Sequence, residues 1–211
     1  MMNTPRRRPR YAPALFAALC AQSALAGMVT VNVTTRSGTA AEDAVIVFDP
    51  LDGAPQANPG TATIDQVDKR FAPRVSVVRT GTSITFPNSD RIRHQVYSFS
   101  PAKTFSLKLY AGSPKTPVIF DHEGLVVLGC NIHDNMIAFV GVVDSPYFAK
   151  TTDSGAASIN LPPGRYRLRA WHPNAIAAMP PREITVAAAP LNLPVTLDID
   201  SASATVAAWP E

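Results

Sequence analysis

Short runs in which apolar and polar residues alternate follow one another along most of the chain. Examples are MVTVNVTT, AVIVF, RVSVV, QVYSFS, LVVLGC, RYRLRAW and LPVTLDI, which are bounded by Gly, Pro, Asn or Asp. A period of two is typical of half-buried β-strands, and the longer spacing of an amphipathic helix is scarce. About a dozen such runs at close spacing predict an all-β protein of sandwich or barrel type. The 20 prolines agree with this, because proline is poorly tolerated inside helices and central strands.

The first 26 residues have the composition of a secretory signal peptide. A basic start, MMNTPRRRPR, precedes the short apolar run YAPALFAALCAQSALA, and Ala24-Leu25-Ala26 forms a small-x-small cleavage site. The apolar run is too short for a membrane span, and no later segment is apolar enough to be one. We therefore predict an exported protein, located in a bacterial periplasm.

Removal of this leader changes the charge and the cysteine count. It holds four of the 19 basic residues and no acid, so 15 basic and 16 acidic residues remain, a formal net charge of −1. The basic pI therefore gives no support for a nucleic-acid partner. Cys20 is lost with the leader, which leaves Cys130 as a single cysteine. In an exported protein an odd cysteine is free, intermolecular or bound to a metal.

Two loop-like segments, 52–63 and 144–150, delimit a middle unit at 62–143. The remaining predicted segments are 27–61, 144–200 and a tail at 201–211. The flanking sequences MVTVNVTTRSGTAAEDAVIVFDP and TTDSGAASINLPPGRYRLRAWHP resemble early and late strands of a carboxypeptidase regulatory-like (transthyretin-like) sandwich. This resemblance implies that the middle unit is inserted into a discontinuous small sandwich, since domain ends are commonly close in space. The alternative is that 27–61 supplies N-terminal strands to the sheet of the middle unit.

The segment GCNIHDNM, at 129–136, places Cys130, His133 and Met136 at successive spacings of three at the end of a predicted buried strand. A thiolate, an imidazole and a thioether, together with a second histidine, are the ligand set of an electron-transfer copper site. The other histidines after the leader are His94, His122 and His172. We favour His94, because it follows a polar loop and begins a predicted strand.

The middle unit resembles the cupredoxins, and amicyanin in particular. The resemblance is carried by Phe71-Ala72-Pro73, by GTSITFPN, by His94 and by GLVVLGCNIHDNM. The whole chain is similar to periplasmic plastocyanin-like proteins that are described as methylamine utilisation proteins. The implied fold is a cupredoxin Greek-key β-sandwich plus a small transthyretin-like β-sandwich.

The cupredoxin resemblance also implies the roles of individual residues. His94, Cys130, His133 and Met136 would bind one copper ion that alternates between Cu(I) and Cu(II). Asn88 and Gln95 would support the ligands by hydrogen bonds, although cupredoxins usually have Asn where this chain has Gln95. These roles follow from the resemblance and not from spacing alone.

The predicted function is one-electron transfer between redox proteins by a type 1 (blue) copper protein, not an enzyme. By analogy, its partners are a quinone-dependent dehydrogenase and a c-type cytochrome. Zinc is less favoured because methionine is a poor zinc ligand. Two alternatives stay open: a periplasmic copper storage or delivery protein, and an envelope binding module with a vestigial copper site.

Overall fold

The computed structural model describes residues 26–53, 58–200, 206 and 208–210. Every regular element in these residues is a β-strand, which confirms the predicted all-β class. Among the residues described, no helix is both long and apolar enough to cross a membrane. The predicted signal peptide (1–26), except for its last residue, and most of the predicted tail (201–211) lie outside the described residues.

A five-stranded sheet and a smaller three-stranded sheet form the sandwich of the middle unit. The larger sheet contains, in spatial order, β6 (Val75–Arg79), β12 (Ile137–Val143), β11 (Gly124–Gly129), β8 (His94–Ser100) and β9 (Lys103–Tyr110). The smaller contains β10 (Val118–Phe120), β7 (Thr82–Thr85) and β3 (Thr61–Thr63), and the hairpin of β4 (Asp65–Val67) and β5 (Arg70–Ala72) lies beside it in sequence. Alternation along β11 directs Val126 and Leu128 into a core shared with Ile84 and Phe120 of the smaller sheet.

Two further sheets enclose a second core. One contains β14 (Ala156–Leu161), β1 (Gly27–Thr35) and β17 (Leu191–Leu197). The other contains β13 (Phe148–Lys150), β2 (Val45–Pro50), β15 (Gly164–Trp171) and β16 (Arg182–Val186). β1 pairs antiparallel with β14 and parallel with β17, so the strands before the middle unit pair with those after it. This is the pairing that an inserted middle unit requires, and the domain boundaries themselves stay a prediction.

The two sandwiches share a third apolar cluster. Val45, Val47 and Trp171 of one pack against Val75 and Phe139 of the other. Each of these side chains points away from its own sandwich core, because neighbouring residues in a strand face opposite sides of a sheet. The outer face of the five-stranded sheet is therefore covered over β6 and β12 by the second sandwich.

A buried arginine also links the two sandwiches. The Arg169 side chain on β15 donates hydrogen bonds to the carboxylates of Asp49 at 2.7 Å and Glu123 at 2.7 Å. It also donates to the carbonyl oxygen of Pro210 at 2.8 Å. Asp49 belongs to the second sandwich and Glu123 to the turn before β11, so one guanidinium joins both sandwiches and the C-terminal segment.

Candidate metal centre

Three side chains with metal-binding atoms converge at one end of the five-stranded sheet. One ligand atom from each of His94, Cys130 and His133 lies within 4.8 Å of the other two. Cys130 Sγ is 3.8 Å from His94 Nδ1, and the rings of His94 and His133 have their centroids 5.3 Å apart. Cys130 forms no disulfide and is buried. The structure thus brings together three of the four residues that the sequence predicts as metal ligands.

Strand ends position the three side chains. His94 is the first residue of β8, and Cys130 follows directly after β11 on the same face as Val126 and Leu128. His133 lies in the short connection between β11 and β12. β8 and β11 are adjacent and antiparallel in one sheet, so the start of β8 lies beside the end of β11. This places the β11–β12 connection against His94.

Met136 closes the connection. Its backbone N–H donates to the carbonyl oxygen of His133 at 3.0 Å, and β12 begins at the next residue. Its side chain is 1% exposed and belongs to the same buried cluster as Cys130. The fourth predicted ligand is therefore buried on the core side of the loop.

The buried His94 ring is held by a carboxylate. His94 Nε2 lies 2.7 Å from Asp90 Oδ2, and the imidazole is completely buried. An ionised carboxylate only accepts hydrogen bonds, so Nε2 carries the proton and donates it. The lone pair of a neutral imidazole is then on Nδ1, which lies 3.8 Å from Cys130 Sγ.

The tight turn of the β4–β5 hairpin holds the Asp90 carboxylate in place. The backbone N–H groups of Asp68 and Lys69 donate to its two carboxylate oxygens at 2.8 and 2.9 Å. Both turn residues have positive φ, 53° and 55°, which directs consecutive amides to one side. Burial raises the pKa of Asp90, but hydrogen bonds from the Lys69 amide, His94 and the Asp68 amide outweigh it and leave the pKa below its ordinary value.

Asn88 supports the loop between β7 and β8. Its side-chain amide donates to the carbonyl oxygens of Ile92 at 2.8 Å and Tyr110 at 3.0 Å. Its side-chain oxygen accepts from the backbone N–H of Asp90 at 3.1 Å. Asn88 thus holds both ends of the segment that carries Asp90 towards His94.

Gln95 joins the two segments that carry the ligands. Its side-chain oxygen accepts a hydrogen bond from Asn131 Nδ2 at 3.0 Å, and its Nε2 donates to Ser106 Oγ at 2.9 Å. Gln95 follows His94, and Asn131 follows Cys130. The longer side chain therefore spans the distance between the histidine strand and the cysteine loop.

The remaining described histidines do not belong to the cluster. His122 is an exposed side chain beside Asp121, 3.2 Å away. His172 follows β15 in the second sandwich, where burial lowers its pKa. Its Nδ1 accepts a hydrogen bond from the backbone N–H of Asn174 at 3.1 Å, as expected for a structural histidine.

The polar atoms of the cluster fit a copper ion. Within the part of the chain that the structure describes, His133 Nδ1 is buried and has no hydrogen-bond partner, which is costly unless another ligand satisfies it. Among the described residues, the Cys130 sulfur has weak contacts with the Ile132 amide at 3.5 Å and with His94 Nδ1 at 3.8 Å. Two imidazoles and a thiolate beside a buried methionine are a donor set suited to copper.

Sequence reasoning missed Asp90 and Asn131. Asp90 precedes His94 by four residues and Asn131 lies next to Cys130, but neither spacing identifies a contact without the loop conformation. A carboxylate shortly before the predicted histidine ligand is the one available signal, because ligating imidazoles commonly donate their second N–H to such a group.

Comparisons with known proteins find likenesses among solved structures only. A copper-containing nitrite reductase from Thermus scotoductus SA-01 is 23% identical over 45% of this chain and 25% of that chain, with a TM-score of 0.38. A purple cupredoxin from Nitrosopumilus maritimus is 20% identical over 39% of this chain and 99% of that chain, with a TM-score of 0.35. A reduced amicyanin mutant is 20% identical over 48% of this chain and 100% of that chain, with a TM-score of 0.33. This chain thus spans about a quarter of the nitrite reductase. No family model matches the sequence, and no curated protein matches it.

Proposed function

We propose that this protein is a periplasmic type 1 copper protein that carries single electrons between redox proteins. The observation that carries the proposal is the convergence of ligand atoms from His94, Cys130 and His133 within 4.8 Å. The sulfur and one imidazole are buried, and the buried Nδ1 of His133 lacks a partner among the described residues. A metal ion would satisfy these three groups at once.

The donor set favours copper over zinc. A structural zinc ion prefers four tetrahedral nitrogen and sulfur ligands, whereas Met136 offers a thioether. Two histidines and one cysteine with a weak axial methionine are the ligands of blue copper sites. His94, Cys130, His133 and Met136 are accordingly the proposed ligands of one copper ion.

When bound, copper would supply a one-electron change between Cu(I) and Cu(II). The chain's own residues hold the ligand atoms in place. Asp90 fixes the ring of His94, and Gln95 ties the histidine strand to the cysteine loop through Asn131. Such hydrogen bonds orient ligands and tune the metal. A site held by strand ends in this way suits repeated electron transfer, because the ligands need to move little.

A carrier fits the described histidines better than an enzyme. A copper enzyme needs an open coordination position or a second metal site, and both imidazoles outside the cluster are separate from it. By analogy with the resemblance to amicyanin, the proposed donor and acceptor are a quinone-dependent dehydrogenase and a c-type cytochrome. The periplasmic location rests on the signal peptide that the sequence predicts.

The test is a visible spectrum of the protein without residues 1–26 after addition of one equivalent of Cu(II). We expect an intense thiolate-to-copper band that is lost in Cys130→Ser, because the band requires the sulfur. The matched control is His122→Ala, which removes an exposed imidazole outside the cluster and should retain the band.

Other spectra would contradict the proposal. Copper uptake without the band would favour storage or delivery of copper. If the protein does not bind copper although its NMR spectrum is that of a folded protein, the proposed copper site is wrong. Equal loss of the band in His122→Ala would show that copper binds elsewhere.

A further inference from the structure

Four exposed basic residues lie on two joined segments beside the candidate metal centre. Lys69 and Arg70 belong to the β4–β5 hairpin, and Arg91 and Arg93 belong to the loop that leads into β8. The hydrogen bonds from the hairpin turn to Asp90 hold these two segments together. None of the four cations forms an ion pair with another residue in the described ranges.

The acidic groups of the same segments are mostly turned inwards. The Asp90 carboxylate accepts hydrogen bonds from two turn amides and from His94. The Asp65 carboxylate accepts hydrogen bonds from the Ser89 hydroxyl at 2.7 Å and from the Gln66 backbone N–H at 2.7 Å. Asp68 is the one exposed acid on these segments. The outward charge is therefore positive, although the chain after residue 26 has a net charge of −1.

Apolar groups lie among these cations. Val67 is 37% exposed and Ile92 is 41% exposed. Both line a surface depression of about 570 Å³ together with the cations Lys69 and Arg91 and the acids Asp68 and Asp90. Apolar side chains surrounded by charged ones are typical of surfaces that bind another protein, whereas a site for a small anion needs no exposed aliphatic groups.

We propose that this cationic surface docks the acidic face of a redox protein partner. The surface consists of Val67, Lys69, Arg70, Arg91, Ile92 and Arg93. The inference rests on the proposed electron-transfer function and adds the site and the chemistry of the partner. Complementary charge raises the rate of association and fixes the orientation of docking.

The surface also lies close to the ligands. Asp90, which lines the depression, contacts His94 Nε2 at 2.7 Å, and His94 Nδ1 is 3.8 Å from Cys130 Sγ. One carboxylate thus separates a partner docked here from the first histidine. This entry is distinct from the side of His133, where Asp134 places an exposed acid.

The first experiment measures oxidation of the copper-loaded, reduced protein by stopped flow. Hexacyanoferrate(III), an anion, takes one electron and becomes hexacyanoferrate(II) as Cu(I) becomes Cu(II); tris(phenanthroline)cobalt(III) is the cationic counterpart. In Lys69→Glu/Arg91→Glu, we expect the rate with the anion to fall about tenfold, and the rate with the cation not to fall. The control is Arg182→Glu, which reverses an exposed charge on β16 and should leave both rates unchanged.

The second experiment needs no copper. Hexacyanochromate(III), a redox-inert paramagnetic anion, should broaden the NMR amide signals of residues 67–70 and 89–93 in the metal-free protein. Poly-L-glutamate, an acidic polypeptide, should reverse the broadening, and the double variant should lose it.

The two experiments separate the two proposals. Selective broadening in a protein that fails to bind copper would retain the surface and reject the electron-transfer function. A normal blue site with broadening elsewhere, or with equal rates in wild type and the double variant, would overturn the docking surface alone. If poly-L-glutamate does not reverse the broadening, the surface binds small anions only, and the proposal of an acidic protein partner is wrong.

Discussion

At the scale of single residues, Asp90 links the backbone conformation of a turn to a proposed copper ligand. Its carboxylate is held by the Asp68 and Lys69 amides and accepts the Nε2 proton of His94. If the cluster binds copper as proposed, a negative charge beside the imidazole would stabilise Cu(II) more than Cu(I). Asp90 would then give a lower reduction potential than a neutral partner.

We predict that Asp90→Asn raises the reduction potential of the copper-loaded protein by about 60 mV, equivalent to a tenfold change in the one-electron equilibrium. The amide oxygen still accepts the His94 proton, so the blue band should persist. Cyclic voltammetry measures the change, and Asp68→Asn is the control, because its exposed carboxylate does not contact His94. A potential that stays the same or falls in Asp90→Asn would show that the charge is not felt at the metal.

At the scale of elements, β1 is the central strand of its sheet and depends on partners far away in sequence. It pairs with β14 on one side and β17 on the other. Val29, Val31 and Val33 face the core of the second sandwich, whereas Asn32 is exposed. The side chains of β1 therefore contribute to the core from one face of the strand only.

We predict that Val31→Ala lowers the free energy of unfolding by about 2 kcal/mol, because it leaves a cavity in a core that excludes water. Asn32→Ala, on the opposite face of the same strand, should change it by less than about 0.5 kcal/mol. Urea denaturation followed by circular dichroism measures both. The blue band of folded, copper-loaded Val31→Ala should match the wild type, since Val31 belongs to a separate cluster from Cys130. Equal stability of the two variants would contradict the assignment of faces.

Alternation made the strands predictable, and it also predicted one important detail of the site. The pattern of LVVLGC indicates that Val126, Leu128 and Cys130 share a face, and all three are buried. Local patterns carry this information because a strand has a fixed period of two. The chemistry of Cys-x-x-His-x-x-Met and a histidine at a strand start was likewise enough to nominate the cluster.

Contacts that depend on loop conformation were beyond prediction from the sequence. The bond between Asp90 and His94 requires two consecutive residues of positive φ in a turn more than 20 residues earlier. The bond between Gln95 and Asn131 depends on where two loops meet. Neither residue pair forms a periodic pattern, so only the folded chain brings these partners together.

At the scale of the whole molecule, the C-terminal segment is packed between the two sandwiches. The Trp209 ring lies 5.5 Å from that of Trp171, and both belong to the shared apolar cluster. The neighbouring Pro210 accepts a hydrogen bond from Arg169, which also binds a carboxylate from each sandwich. Docking of Trp209 thus adds apolar contact to a junction that already contains a charged network.

Gly141 on β12 provides the space that Trp209 occupies. A Cβ atom at this position would overlap Cη2 of the Trp209 indole and lie 2.7 Å from Cζ3, so the ring would have to move. We predict that Gly141→Ala displaces Trp209 and lowers the free energy of unfolding by about 1–3 kcal/mol. Tryptophan emission should shift to longer wavelength, because one of the chain's two tryptophans becomes exposed to water.

The matched control is Gly164→Ala at the start of β15, where the nearest atom to an added Cβ is at an ordinary 3.6 Å. Its emission should equal that of the wild type, and its stability should change by less than about 0.5 kcal/mol. If Gly141→Ala leaves both emission and stability unchanged, the indole does not fill the space above β12. If both glycine variants lose stability equally, the cause is the loss of glycine from a strand and not displacement of Trp209. A change confined to Gly141→Ala would establish the C-terminal segment as part of the junction that holds the sandwich with the candidate metal centre against its neighbour.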